Sequence, residues 1–193
     1  MKISCTNMMA EGKTLTEKAL FLRKCGFDGI SVFADIDFWD DKKEDELLNL
    51  EKNTGIKVCE FCFSGGRYGK LMSEDPETAK AAKKLYQKAI HIGNKLGAIS
   101  EMEYQYGRFE EPPLYQIYQK MNVVEKERFC RIFTELAGEL SGEAKLLLEP
   151  INRYESRYLN TIEDNLQIIK ELNLPGTGLL ADIFHMSIEE RDI

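Results

Sequence analysis

Two strand-like runs of this sequence end in a carboxylate, at Glu149 and at Asp182. Each carboxylate follows an apolar tripeptide, Leu146–Leu148 or Leu179–Ala181, and His185 follows Asp182 by three residues. Two carboxylates and an imidazole at neighbouring strand ends could bind one cation, and oxygen ligands favour Mg²⁺ or Mn²⁺. A surface charge or a salt bridge accounts equally well for Glu149 alone, and an isolated histidine is more often a hydrogen-bonding residue than a ligand.

Strand-like runs alternate with amphipathic helical runs along the chain. The expected strands are residues 2–5, 29–34, 57–63, 98–104, 145–149 and 178–182. Thr14, Asp75 and Thr161 begin three of the expected helices, because Thr and Asp are favoured helix N-caps. Gly26 and Gly55 end the first two helices. The strict alternation predicts parallel strands joined by crossovers, which leaves a doubly wound sheet or a (β/α)₈ barrel.

Chain length favours the barrel. A full barrel of about 250 residues uses about 31 residues per βα unit, so the 193 residues of this chain correspond to about six units. The predicted fold class is α/β, an incomplete (β/α)₈ TIM barrel in one domain spanning residues 1–193, without strands seven and eight. Catalytic groups of such barrels lie at the C-terminal ends of the strands, which is where Glu149 and Asp182 stand.

Composition excludes several classes of function. A net charge of -7 and a pI of about 5.1 disfavour nucleic acid as a partner. No apolar run approaches the roughly 20 residues of a membrane helix, and the N-terminus has no signal-peptide core, so we expect a cytoplasmic protein without a membrane partner. The five cysteines are expected to be reduced. Cys59 and Cys62 form a CxxC without a second pair, which indicates structural thiols rather than a zinc site.

Three segments resemble one enzyme family. They are residues 148–155 (LEPINRYE), 159–161 (LNT) and 182–190 (DIFHMSIEE). Together they are similar to the D-tagatose 3-epimerase and D-psicose (allulose) 3-epimerase family, sugar phosphate isomerases/epimerases within the xylose isomerase-like TIM barrel superfamily. The LEPIN and DIxH patterns also resemble hydroxypyruvate isomerase, which stays open as an alternative. The N-terminal part of the chain carries no comparably specific motif.

The resemblance implies a role for each matching residue. Glu149 would be a metal ligand and the catalytic acid/base, and Asp182 a second metal ligand. Glu155 and His185 would bind the substrate near its carbonyl end. The cofactor would be Mn²⁺, Mg²⁺ or Co²⁺, and the substrate a small-molecule ketose or sugar phosphate. Removing a proton next to the carbonyl gives an enediolate, whose charge a divalent cation stabilises.

The resemblance also implies groups that this sequence lacks. In the family a Glu on the eighth strand is the second acid/base and a ligand, and a His on the seventh strand is a further ligand. The sequence stops at Ile193, so the metal site is expected to be incomplete. The open strand edges and exposed core predict a homo-oligomer or a partner chain. An inactive barrel fragment is a second alternative to the epimerase function, beside hydroxypyruvate isomerase. An endonuclease of the same superfamily is disfavoured, because it needs several zinc-ligating histidines. The sequence has two histidines, His91, which is interpreted as structural, and His185.

The segment Gln105–Gln119 contains several aromatic residues after the fourth strand, namely Tyr106, Phe109, Tyr115 and Tyr118. They predict either a lid or substrate wall at the active-site face, or aromatic packing against a neighbouring loop. Phe38 and Trp39 after the second strand have the same two interpretations.

Overall fold

Six parallel strands form one sheet in the order in which they occur along the chain. The structure is a computed structural model that describes residues 2–104 and 120–193. The strands are β1 Ser4–Thr6, β2 Gly29–Asp35, β3 Lys57–Ser64, β4 Ile99–Met102, β5 Lys145–Leu148 and β6 Thr177–Leu179. Every neighbouring pair is parallel. A doubly wound sheet reverses its strand order at a switch point, whereas this sequential order is that of a TIM barrel.

Helices connect successive strands and cover one face of the sheet, and one further helix follows the last strand. They are α1 Leu15–Lys24, α2 Asp41–Leu48, α3 Leu50–Thr54, α4 Pro76–Leu96, α5 Val123–Ala137, α6 Ile162–Leu172 and α7 Ile183–Glu189. The predicted caps Thr14, Asp75 and Thr161 each accept a backbone N–H of their own first turn. Among the described residues, no helix combines the length and apolar character needed to cross a membrane.

The core lies between the sheet and these helices. Leu22 of α1, Ile30 of β2, Phe61 of β3, Ile90 of α4 and Phe133 of α5 are each at most 1% exposed and belong to one cluster. Alternate residues of each strand enter this layer, since successive side chains of a strand point to opposite faces. The intervening residues therefore face the concave side of the sheet, where a barrel has its lumen.

The strands β1 to β5 begin and end within two residues of their predicted bounds, but two other predicted elements differ more from the structure. The second predicted helix, which ends at Gly55, is divided into α2 and α3, because Asn49 between them adopts φ -97° and ψ 1°. The sixth strand ends at Leu179 rather than at Asp182. Asp182 instead caps α7, a helix that the sequence pattern did not indicate, with its Oδ1 accepting the Phe184 N–H at 2.8 Å.

Candidate metal centre and active site

The register of β4 and β5 brings acidic residues of the two strands together. Glu101 pairs with Leu147 and Met102 with Leu148, and the Glu149 N–H continues the ladder to the Met102 carbonyl at 3.5 Å. Glu103 and Glu149 therefore stand side by side just beyond the last pair. Because Glu101 and Glu103 are two residues apart, they share the face of the sheet on which Glu149 lies.

An irregularity between β2 and β3 adds a fourth carboxylate. Ile30 pairs with Val58, but Ser31 pairs with Glu60, so one extra residue of β3 is accommodated as a bulge. Bulges redirect the side chains that follow them. Here the bulge sets Glu60 opposite Ser31, on the concave face, and Glu60 also pairs with Ile99 of β4.

These side chains line one cavity of about 300 Å³ on the concave face. The residues that line it are Phe33, Glu60, Glu101, Glu103, Glu149, Leu180, Asp182 and His185. Five of these eight described residues carry a carboxylate, and none of the eight is a lysine or an arginine. Such a cavity attracts cations and repels anions.

Glu149, Asp182 and His185 converge in this cavity. His185 Nε2 lies 3.9 Å from Glu149 Oε1 and 3.8 Å from Asp182 Oδ2. Glu149 and His185 are 4% and 6% exposed, respectively, whereas Asp182 is half-buried. The cap of α7 fixes this arrangement, since Asp182 holds the first turn of the helix that carries His185.

Crowding and burial raise the pKa values of the clustered carboxyl groups. Burial, followed by repulsion from Glu103 and Asp182, raises the pKa of Glu149 to about 9. Burial and the charge of Glu155 raise the pKa of Glu103 to about 7. The pKa of Glu101 is also raised well above its ordinary value, first by burial and then by Glu149. Several like charges at short distance favour protonation unless a cation neutralises them.

The cluster fits a divalent cation. Ligand atoms of Glu149, Asp182 and His185 lie within 4.8 Å of one another, and so do those of Glu101, Glu103 and Glu149. Glu60 contributes a carboxylate oxygen, Oε1, that is buried and has no hydrogen-bond partner. A buried unpaired oxygen is costly without a donor or a cation. Oxygen-rich donor sets of this kind suit Mg²⁺ or Mn²⁺.

Glu155 does not line the cavity, but it is linked to the residues that do. Its Oε1 accepts a hydrogen bond from Asn152 Nδ2 at 3.1 Å. The same Asn152 nitrogen lies 2.8 Å from His185 Nδ1. The structure thus brings three of the predicted site residues together directly and the fourth through Asn152.

An ion pair fastens α7 to the loop after β5. Arg153 donates its backbone N–H to Glu189 Oε1 at 2.6 Å, and its guanidinium binds both carboxylate oxygens at 2.7–3.1 Å. Only 1% of the Glu189 side chain is exposed. Glu189 and His185 are four residues apart, so they share one face of α7.

Glu60, Glu101 and Glu103 were not among the predicted site residues, although their positions carry a signal. Each is an acidic residue within or directly after a strand that is otherwise largely apolar, and Glu101 and Glu103 follow the two-residue period of one sheet face. Such residues are rarely buried without a partner. Acidic residues within strands are therefore the sequence signal that indicates this part of the site.

The weaker predictions had mixed outcomes. The ring centroid of Trp39 lies 5.2 Å from that of Phe61 and 5.9 Å from that of Phe63, which favours packing over substrate binding. Phe38 is 70% exposed. His91 was interpreted as structural, but it is exposed on α4. The aromatic segment Gln105–Gln119 lies outside the described residues. All five cysteines are free, and Cys62 is buried.

Comparison with known proteins identifies the family. The model of the xylose isomerase-like TIM barrel family matches residues 20–193. The chain belongs to this family. It is 28% identical over 172 residues to the "Probable ketose 3-epimerase" of Synechocystis sp., which covers 89% of this chain and 58% of that protein. It is 24% identical over 198 residues to 3-dehydro-D-guloside 4-epimerase of Escherichia coli, covering 100% of this chain and 72% of that protein.

Solved structures of sugar epimerases share this fold. The D-psicose 3-epimerase of Clostridium cellulolyticum, solved with D-tagatose, superimposes with a TM-score of 0.79 at 23% identity. The match covers 100% of this chain and 67% of that structure. The chain thus spans 58% of the length of the Synechocystis relative and two thirds of this structure.

Proposed function

We propose that this chain is part of a metal-dependent ketose 3-epimerase. The observation that carries the proposal is the convergence of Glu149, Asp182 and His185 on one carboxylate-lined cavity at the C-terminal ends of β5 and β6. In the TIM-barrel architecture this is the face that holds active sites. The relatives named as ketose 3-epimerases support the same assignment.

Each residue of the cluster has a chemical task in this proposal. Glu149 takes the proton from the carbon next to the ketose carbonyl, because its carboxylate is buried and opens into the cavity. Asp182 and Glu149 would hold the cation. A divalent cation would supply Lewis-acid stabilisation of the enediolate charge and would favour the ionised form of Glu149. His185 and Glu155 bind the oxygens at the carbonyl end of the sugar.

The cavity favours an uncharged ketose over a sugar phosphate. Five carboxylates line it, and the described lining contains no arginine or lysine to pair with a phosphate. A phosphate dianion would approach several like charges in a low-dielectric site. Hydroxyl groups of a free sugar can instead donate hydrogen bonds to the same carboxylates.

Exchange of the C3 proton with solvent tests the proposal. The chain is incubated with Mn²⁺ in D₂O together with D-fructose or D-tagatose, and loss of the C3 proton signal is followed by NMR. We expect exchange that disappears in Glu149→Gln and persists in Glu135→Gln, an exposed carboxylate on α5. Proton exchange measures abstraction alone, so it does not require a second acid/base on the opposite face of the enediolate.

Three other outcomes would count against the proposal in different ways. Exchange in hydroxypyruvate but in neither ketohexose would favour the hydroxypyruvate isomerase alternative. Exchange only in D-ribulose 5-phosphate would contradict the preference for an uncharged substrate. A folded, metal-supplied sample without exchange in any substrate would favour the inactive barrel fragment.

A further inference from the structure

We propose that Asn152 is a positioning residue that fixes the tautomer of His185, so that Nε2 carries the ring proton and presents it to the cavity. The role of that proton in binding substrate rests on the proposed function. The tautomer itself follows from contacts within the chain. The residue stands in the loop between β5 and α6, three residues after Glu149.

The orientation of the Asn152 amide is fixed by its own partners. Its Oδ1 accepts the Tyr154 N–H at 3.0 Å, and an amide nitrogen could not accept that hydrogen. Its Nδ2 donates to Glu155 Oε1 at 3.1 Å. The atom that faces His185 Nδ1 at 2.8 Å is therefore the donor Nδ2.

A second donor approaches the same histidine nitrogen. The backbone N–H of Asn152 points to His185 Nδ1 at 3.3 Å. Neither this group nor the amide Nδ2 can accept a hydrogen bond, so Nδ1 must offer its lone pair. A neutral imidazole has one protonated nitrogen, and here that nitrogen is Nε2.

The consequence concerns what His185 can bind. Its Nε2 lies 3.9 Å from Glu149 Oε1 and 3.8 Å from Asp182 Oδ2, both longer than an N–H···O hydrogen bond. A protonated Nε2 has no lone pair for a cation, so His185 does not complete a three-ligand site with these acids. Its N–H is instead available to an acceptor oxygen of a ligand, such as the carbonyl or a hydroxyl of a ketose.

Asn152 also couples the two residues proposed to bind substrate. The Asn152 Nδ2 donates one hydrogen bond to Glu155 Oε1 and another to His185 Nδ1. The next residue, Arg153, holds Glu189 one turn after His185 on α7. Two consecutive loop residues thus fix the position of His185, and Asn152 additionally decides which of its nitrogens carries the proton.

Nitrogen NMR of the histidine ring tests this inference without any activity measurement. The chain has two histidines, and His91→Gln, an exposed change, leaves His185 as the only labelled ring. At pH 8.5, where an ordinary imidazole is neutral, with EDTA present, we expect a pyridine-like ¹⁵N signal from Nδ1 and a pyrrole-like signal from Nε2. The opposite assignment would overturn the inference whatever the variants do.

A pair of variants tests the role of Asn152. Asn152→Asp replaces the donor with a carboxylate oxygen and should draw the proton to Nδ1, so that Nδ1 becomes pyrrole-like. Asn160→Asp is the matched control, because Asn160 is buried in the same loop but donates to the carbonyls of Ile151 and Ser156. An unchanged His185 spectrum in folded Asn152→Asp would refute the role of the amide. Correct tautomers without C3 exchange would refute only the proposed function.

Discussion

Replacing Glu149 with glutamine should stabilise the cation-free protein at pH 8 while leaving its stability at pH 5 nearly unchanged. Burial and neighbouring carboxylates raise the pKa of Glu149 to about 9. The folded state therefore binds more protons than the unfolded state between pH 4.5 and about 9. The free energy of unfolding falls as the pH rises through that window. Glutamine keeps the shape of the side chain and cannot ionise in either state, so it removes the pKa difference that causes this loss.

The structure bounds the magnitude. For a group that titrated alone, the shift from 4.5 to about 9 would correspond to about 5 kcal/mol at pH 8. Glu103 lies beside Glu149 and its own pKa is raised to about 7, so the two groups share protons and repulsion. We therefore expect a gain of about 2 kcal/mol for the Glu149→Gln variant at pH 8.

Urea denaturation in EDTA at pH 5 and pH 8 measures this effect. The control is Glu135→Gln, because Glu135 is exposed and the hydrogen bond from Lys83 lowers its pKa, so this change should give no gain at pH 8. Equal stability of the parent at both pH values would refute the reasoning. A Glu149→Gln variant that is destabilised by the same amount at pH 5 and at pH 8 would also refute the reasoning.

Three further predictions concern the elements that hold the site. Arg153→Met should destabilise the chain by about 2 kcal/mol in urea denaturation, because it removes the guanidinium that neutralises the buried Glu189 carboxylate and leaves only the backbone N–H of residue 153 as donor, and adding Glu189→Gln should restore part of that loss. Tyr104→Phe should cost about 1 kcal/mol in thermal denaturation, since the hydroxyl binds two carbonyls of the loop before α6. Asn122→Ala should cost about 1 kcal/mol and lower the helix signal in circular dichroism, because Asn122 and Glu125 form the capping box of α5.

Helix starts and strand order were predictable because they depend on local chemistry. Thr14 and Thr161 were recognised as N-caps from residue type and spacing, and both accept the expected backbone N–H groups. The alternation of strands and helices, together with chain length, was sufficient to predict the barrel type. The sequential strand order confirms it.

The end of the sixth strand was not predictable from hydrophobicity. Leu180 and Ala181 are apolar and continue the pattern of the strand, yet pairing with β5 ends at Leu179. Asp182 favours the N-cap position of a helix, and this preference competes with continuation of the strand. Asp182 satisfies the first turn of α7, the helix that carries His185 Nε2 to 3.9 Å from Glu149 Oε1.

The candidate site was predictable only in part, because some of its residues depend on contacts between elements that are distant in the sequence. Glu149, Asp182 and His185 occur in short motifs, so their types and spacing were visible in the sequence. Glu60 enters the cavity through a bulge in β3, and a bulge depends on the pairing between two strands rather than on either strand alone. Asn152 acts through His185, which lies 33 residues further along the chain, and only the three-dimensional structure shows that contact.

Calorimetric titration with Mn²⁺ tests most directly whether the carboxylate cavity is a metal centre. We expect one cation per chain, with at least tenfold weaker binding in Asp182→Asn and in Glu149→Gln. Asp192→Asn, an exposed change near the end of the chain, should bind as the parent does. Mn²⁺ binding that is unchanged in both Asp182→Asn and Glu149→Gln would contradict the account, because the cation would then bind elsewhere and these carboxylates would have no metal to hold.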